Sequence, residues 1–289
     1  MSLKEIRRRI TSVNNTRQIT RAMKLVSAAK LRRAQDAAEN QRSYSAKLNQ
    51  VVRNALNSLQ GEFTHPLIEK ADEVKKRRVI VITGDRGLCG GYNASVIKAV
   101  AAQEDDASIE LEVVPVGRRS VSAGNSAGWQ HVEEYQDLPE SAADWPIDEI
   151  ADSAIKAFTS SDCDEVVVYF TTFVSAMTQE VTREVVLPFS LEDAEGEQAG
   201  EAADGVITFS PSPEEILKGL LPLLIKTKLA QAALESKASE HAARMTAMDS
   251  ATNNANDLID KLKLHYNRAR QSAITSELID IVGGAEAVQ

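Results

Sequence analysis

Residues 2–59 contain neither proline nor glycine. With nothing to break a helix over that run, and apolar residues returning in steps of three and four, the segment predicts one helix on the order of 85 Å long. The apolar positions are Leu3, Ile6, Ile10 and Val13, then Ile19, Met23 and Val26, then Tyr44, Leu48, Val51 and Ala55. Polar residues 14–17 separate the first two sets. A helix in a globular protein averages about 11–12 residues, so this one is expected to project beyond any compact domain. Gly61 and Pro66 mark its end.

The other end of the chain mirrors this pattern. In SPSPEEIL, Ser212 is an expected N-cap, Pro213 occupies the first helical position, and acids fill the first turn. The helix is expected to run to a stop at Gly283-Gly284, with Gly219 and Pro222 bending or delaying its start. Ala243, Ala247, Ala251 and Ala255 form a small-residue stripe, and Leu258, Leu262, Tyr266, Ala269 and Ala273 continue an apolar seam. Two long helices at opposite ends of a chain, joined by a compact domain, pair antiparallel as a coiled coil. An ordinary bundle would require more helices of this length.

Between them, RRVIVIT, IELEVVPVG and EVVVYFTTF are short, β-branched runs alternating with helical patterns around 92–103 and 147–158. TQEVTREVVLPFS and GVITFS read as further strands. The expected fold class is therefore α/β: a long antiparallel coiled coil of the N- and C-terminal helices with a central α/β domain. The expected boundaries are 1–60 and 211–289 for the helices and 75–210 for the domain.

Composition narrows the function classes. Two cysteines, Cys89 and Cys163, supply no disulfide framework, and four scattered histidines show no zinc spacing. No apolar run reaches the length of a membrane span. The start is Arg-rich, as transit peptides are, but its helical pattern runs on past residue 50. Residues 1–33 hold ten Lys or Arg and one acid, Glu5, a net +9. Since the whole chain carries −9, the rest carries −18. Such segregation points to an oppositely charged partner. The basic tract has no aromatic residue to stack bases, so an acidic protein surface fits better than nucleic acid. The six acids of residues 192–205 read as an exposed loop.

TGDRGLCGGYN, residues 83–93, poses the enzyme question, because a glycine-rich turn between strand and helix is where nucleotide phosphates bind. Its spacing fits neither the P-loop pattern, which needs a Lys-Ser/Thr pair, nor the GxGxxG fingerprint. Cys89 beside Arg86 has no histidine nearby in sequence to activate it. A turn shaped by unusual backbone angles is the default. No catalytic constellation stands out elsewhere.

Three motifs then identify a family. IRRRITSVNNTRQITRAMKLVSAAKLRRAQ, TGDRGLCGGYN and ASEHAARMTAMDSATNNANDLIDKLKLHYNRARQSAITSELIDIVGGAEAV closely resemble the gamma subunits of F-type ATP synthases, with weaker support from FVSAMTQEVTREVVLP. The resemblance spans essentially the whole chain. It implies a non-catalytic central-stalk rotor subunit that couples ion flow through a membrane c-ring to ATP synthesis or hydrolysis at an alpha3-beta3 ring. It implies as partners the alpha and beta subunits, the epsilon subunit and the c-subunit ring, with no cofactor and no metal.

By the same resemblance, Met23 and Lys24 stand where the shaft meets the beta levers, and Arg270, Gln271, Thr275 and Glu277 where the C-terminal helix meets catch loops of the ring. Arg86 and Cys89 stand near the junction of foot and shaft. Plastid members that carry a redox insert have cysteines after the LLP-like segment; here VLPFS leads into the cysteine-free acidic loop, so thiol control of that kind is not expected. The expected location is peripheral, on the cytoplasmic face of a bacterial inner membrane. The rivals are a coiled-coil scaffold without a rotary role and an α/β nucleotide-binding enzyme.

Overall fold

The structure is a computed structural model, and it describes residues 2–59, 64–71, 73–104, 108–189 and 212–286. The acidic loop and GVITFS, both expected within 190–211, lie outside the described residues, as does Gly61. The chain divides into two compact units, residues 28–243 and the paired segments 1–27 and 244–289.

The larger unit is built on a five-stranded sheet. Its strands are β1 (Lys76–Ile82), β2 (Glu110–Val116), β3 (Gln130–His131), β4 (Glu165–Phe173) and β5 (Gln179–Leu187), in the order β3-β2-β1-β4-β5. The first four are parallel and β5 returns antiparallel to β4. The runs of Val and Ile in β1, β2 and β4 are buried on both faces, as parallel strands covered by helices require. The connecting helices are α2 (Tyr92–Gln103), α3 (Arg118–Ala127) and α4 (Ile147–Thr159). On one face Val79, Val81, Val113 and Tyr169 pack with Val96 and Val100 of α2. On the other, Ile80, Val114, Val166 and Val168 pack with α4 and with Leu221, Ile225 and Leu229 of the C-terminal helix.

The helix α3 was not expected from the sequence. RRSVSAGNSA, which forms α3, has Val121 as its lone buried aliphatic side chain. It is held instead from outside: Thr83 Oγ1 accepts the Ser120 amide at 2.9 Å, and the Asp85 carboxylate accepts the Arg118 amide at 2.7 Å. It ends on Gly128 in the left-handed region.

Charge is also buried in this unit. Glu104, at the C-terminus of α2, takes Arg77 at 2.5 Å, Arg183 at 3.1 Å and the Tyr169 hydroxyl at 2.6 Å, and its side chain is 1% exposed. Arg77 and Arg183 also reach Glu165. Burial pushes the Glu104 carboxyl up, but hydrogen bonds from Tyr169, Arg77 and Arg183 outweigh it and hold the group below the ordinary carboxylate range.

The N-terminal helix α1 (Leu3–Asn57) opens with a capping box in which Ser2 Oγ accepts the Glu5 amide and Glu5 accepts the Ser2 amide. The C-terminal helix α5 (Pro213–Glu286) is capped as expected, Ser212 Oγ accepting the Glu215 amide at 3.2 Å. Two expected interruptions of α5, a delayed start and a stop at Gly283-Gly284, are not found. It continues through Pro222, where one missing amide is offset by burial of Leu221, Leu224 and Ile225. It also continues through Gly283-Gly284 to Glu286, because glycine costs a helix only about 1 kcal/mol and permits a stop without enforcing one.

In the smaller unit the two helices run antiparallel. Arg7 donates to the Tyr266 hydroxyl at 3.0 Å, Arg17 to Asn256 Oδ1 at 3.2 Å, Thr20 meets Thr252 at 2.8 Å, and Lys24 reaches Asp249 at 2.6 Å. Each advance along α1 is matched, to within one residue, by an equal retreat along α5.

The inward positions of α1 here are Ile6, Ile10, Val13, Arg17, Thr20, Lys24 and Ser27, alternating steps of four and three. Those of α5 are Met248, Thr252, Ala255, Ile259, Leu262, Tyr266 and Ala269, the same heptad rhythm. This corrects the expected seam in two places. Ile19 and Val26 are not in it, being 60% and 54% exposed, and Ile259 replaces Leu258. The polar residues 14–17 do not shift the helix to a new face. The heptad phase set by Ile6, Ile10 and Val13 carries through, and the polar side chains that land inside pair across the seam.

Farther along α1, Leu48, Val52 and Ala55 are buried in the larger unit, while Tyr44 and Val51 are exposed.

Candidate functional site: the helix-pair surface and the loop after β1

The loop 83–91 follows β1 because Thr83 closes the strand: its amide donates to the Val116 carbonyl at 2.8 Å. The Gly84 amide donates to Asn93 Oδ1 at 2.9 Å, and Asn93 Nδ2 donates back to the Arg86 carbonyl at 3.3 Å. Asp85 bridges the Arg118 and Leu138 amides at 2.7 and 3.0 Å. Its carboxylate thus occupies the N-terminus of α3, where a bound anion would otherwise sit. The glycines serve packing. A Cβ on Gly117, at φ +104°, would come within 2.3 Å of the Thr83 carbonyl oxygen, and one on Gly84 within 3.0 Å of the Glu240 carboxyl carbon on α5.

The tip of this loop faces outward. Arg86 is exposed, and Leu88 is 64% exposed at φ +60°, an unusual backbone for a branched side chain. Cys89 is buried, with Asn93 Nδ2 3.2 Å from its sulfur, so it shapes the loop rather than presenting a thiol. Burial pushes the other thiol, Cys163, up to about 11. Among the described residues no group of three His, Cys, Asp or Glu is placed to hold a metal, and no helix is long and apolar enough to cross a membrane.

The helix pair presents a second surface. Ile19, Leu25 and Val26 point outward beside half-buried Met23, so an apolar stripe lies on the outside of a seam that is polar within. Lys24 is committed to Asp249. Lys4, Arg8, Arg9 and Arg21 are exposed, and their side chains make no hydrogen bond or ion pair among the described residues.

The far end of α5 forms a third surface. Arg7 meets Tyr266 and α1 begins four residues earlier, at Leu3, so its partner register ends near Arg270. Beyond that point no helix among the described residues opposes α5. Arg270, Gln271, Thr275 and Glu277 are exposed there, in company with exposed Ile274, Leu278 and Ile279.

The structure therefore groups Met23 and Lys24 on the paired stretch, Arg86 and Cys89 in the loop, and Arg270, Gln271, Thr275 and Glu277 on the partnerless turns. Sequence reasoning missed Leu25 and Leu88. The signal for Leu25 was its position off the heptad phase; the backbone of Leu88 left no signal.

With this geometry in hand, comparison with known proteins is decisive. The family described as "ATP synthase" matches residues 2–288. The chain is 42% identical over 294 residues to the ATP synthase gamma chain of Chlorobium phaeobacteroides, with 100% of this chain and 99% of the relative covered. The chain belongs to the ATP synthase gamma chain family. The gamma chain of Pelotomaculum thermopropionicum is similar to the same degree, 43% over 289 residues with the same coverage.

Among solved structures, the fold is similar to a chain of the Euglena gracilis mitochondrial ATP synthase (OSCP/F1/c-ring), with a TM-score of 0.67, 18% identity, and 99% of this chain and 94% of that one covered. A chain of the Tetrahymena thermophila mitochondrial ATP synthase central stalk and c-ring gives 0.56 at 23% identity, covering 81% and 99%. The gamma-chain architecture thus accounts for both terminal helices and the sheet between them.

Proposed function

We propose that the chain is the non-catalytic central-stalk rotor subunit of an F-type ATP synthase, with residues 1–60 and 211–289 as the shaft and 75–210 as the foot. It couples rotation of a membrane c-ring to the catalytic sites of an alpha3-beta3 ring, and the foot binds the epsilon subunit and the c-ring. The chain is peripheral, on the cytoplasmic face of a bacterial inner membrane.

The observation that carries this reading is the helix pair. Along residues 17–26 of α1 the polar side chains of Arg17, Thr20 and Lys24 are turned inward to pair with α5, while Ile19, Leu25, Val26 and the cation Arg21 are turned outward. A monomer gains nothing from that inversion. A shaft inside a ring gains two things: a surface that slides over apolar liners, and a field that attracts acidic levers without a fixed bond. On this reading Met23, Lys24 and the cations of α1 meet the beta levers, and Arg270, Gln271, Thr275 and Glu277 meet the ring around the partnerless turns. Arg86 meets a subunit at the junction of foot and shaft, with Cys89 holding that loop in shape.

Reconstitution with alpha and beta subunits tests it. A stable ATPase complex is expected only when this chain is added, and the chain alone is expected to be inactive. ATP turnover by the isolated chain would overturn the reading.

A further inference from the structure

β1 pairs with β4 only as far as Tyr169, yet β4 continues to Phe173. The main-chain groups of β4 that face the vacated strand position are met by α5. The Thr171 amide donates to Ser236 Oγ at 3.2 Å, Ser239 Oγ donates to the Thr171 carbonyl at 3.0 Å, and the Phe173 amide donates to Glu235 Oε2 at 2.9 Å. One helix thus substitutes for a strand, with three side chains bonded along the edge.

Glu235 does more than its two neighbours. Its other oxygen, Oε1, accepts Arg42 of α1 through Nε at 2.9 Å and Nη2 at 2.5 Å, and Gln231 of α5 at 2.8 Å. The Glu235 side chain is 6% exposed. A single buried carboxylate therefore ties α1, α5 and the sheet together, and its charge is matched by one guanidinium.

We infer that Glu235 is the positioning residue that locks the two helices to the α/β domain, so that a turn of the domain becomes a turn of the helices without slip. The inference rests on the rotor reading. Bonds from a helix to strand main chain resist both sliding along the edge and rolling about the helix axis, because either motion strips buried amides of their acceptors. Ser236 and Ser239 hold one end of this lock; Glu235 adds the link to α1.

The test uses the complete ATP synthase in vesicles, reading ATP-driven ion pumping against ATP hydrolysis. With Glu235→Ala, which removes both links, the ratio of pumping to hydrolysis is expected to fall by about fivefold or more, with hydrolysis retained. A defect in folding alone would lower the yield of complex, and both activities in proportion, leaving the ratio intact. Glu235→Gln keeps an acceptor for Phe173 but loses the negative charge opposite Arg42, and Arg42→Ala removes the same link from the other side. Both are expected to lie between wild type and Glu235→Ala.

If Glu235→Ala yields no complex, the other two variants decide. A wild-type ratio in Glu235→Ala, or in both of the others, overturns the inference. If the wild-type chain itself fails to support coupled pumping, it is the rotor reading that falls.

Discussion

The two halves of α5 share one helix and follow opposite rules. From Leu224 to Asp249 no residue is exposed, and the helix is enclosed on most of its circumference by sheet, α1 and α4. From Lys263 to Ile279 no residue is buried, and Ile274, Leu278 and Ile279 are bare. The first half is packed as a folded core; on the rotor reading proposed above, the second is the part that meets other subunits. The same helix thus carries one stretch held by its own chain and one stretch, residues 263–279, left almost wholly to solvent.

The sharpest way to break this contrast is Glu104→Ala, which strands Arg77 and Arg183 without their shared carboxylate. Removing one partner of a buried ion pair costs about 3–5 kcal/mol, so denaturant unfolding of the domain should shift by that amount; a shift under ~1 kcal/mol would mean the network is wetter than its geometry. The pH dependence follows with a definite sign. Because the Glu104 carboxyl is held below its ordinary value in the folded state, its contribution is present above the unfolded carboxylate range and is lost as pH falls through the lower, folded value. Acid titration of wild type should therefore lose this stability at low pH, and the variant should lose less over the same window.

A paired substitution comes next. Ile225→Ala, in the enclosed half, should cost about 2–5 kcal/mol, whereas Ile279→Ala, in the bare half, should lie within ~0.5 kcal/mol in the same denaturation assay. If the rotor reading is right, Ile279→Ala registers instead in the assembled complex, as altered ATPase turnover. Smallest is Lys24→Ala. Both partners of that pair are more than a third exposed, so stability should change by no more than about 1 kcal/mol, and less as salt is raised.

How far could these regions be read beforehand? β1, β2, β4 and α2 are legible because their own residues decide them: aliphatic β-branched runs, and an apolar face at helical spacing. α3 is illegible because its support is remote; Thr83 and Asp85, more than 30 residues earlier, cap a Ser- and Gly-rich segment with no pattern of its own. The family was legible from motifs, α1 from its absence of breakers, and α5 from its N-cap signal and apolar spacing. The inner seam was misread between Ile19 and Val26 for a physical reason. Hydrophobicity was followed where phase governs, and paired Thr, Lys and Asp can sit in a seam when each finds its complement. The candidate surfaces were legible as positions but not as exposures, since Cys89 and Leu88 are neighbours in one motif and face opposite ways.

The matched advance and retreat of Arg7, Arg17, Thr20 and Lys24 against Tyr266, Asn256, Thr252 and Asp249 makes this helix pair a ruler read from both ends. Dropping one residue from either helix would slide every pairing beyond it out of step, and no local repair could restore them. Only whole heptads, removed or added on both helices at the same height, would leave the divisions aligned. The length of this part of the molecule can therefore change only in steps of about 10 Å, a coarse quantum for evolution or an engineer to work with.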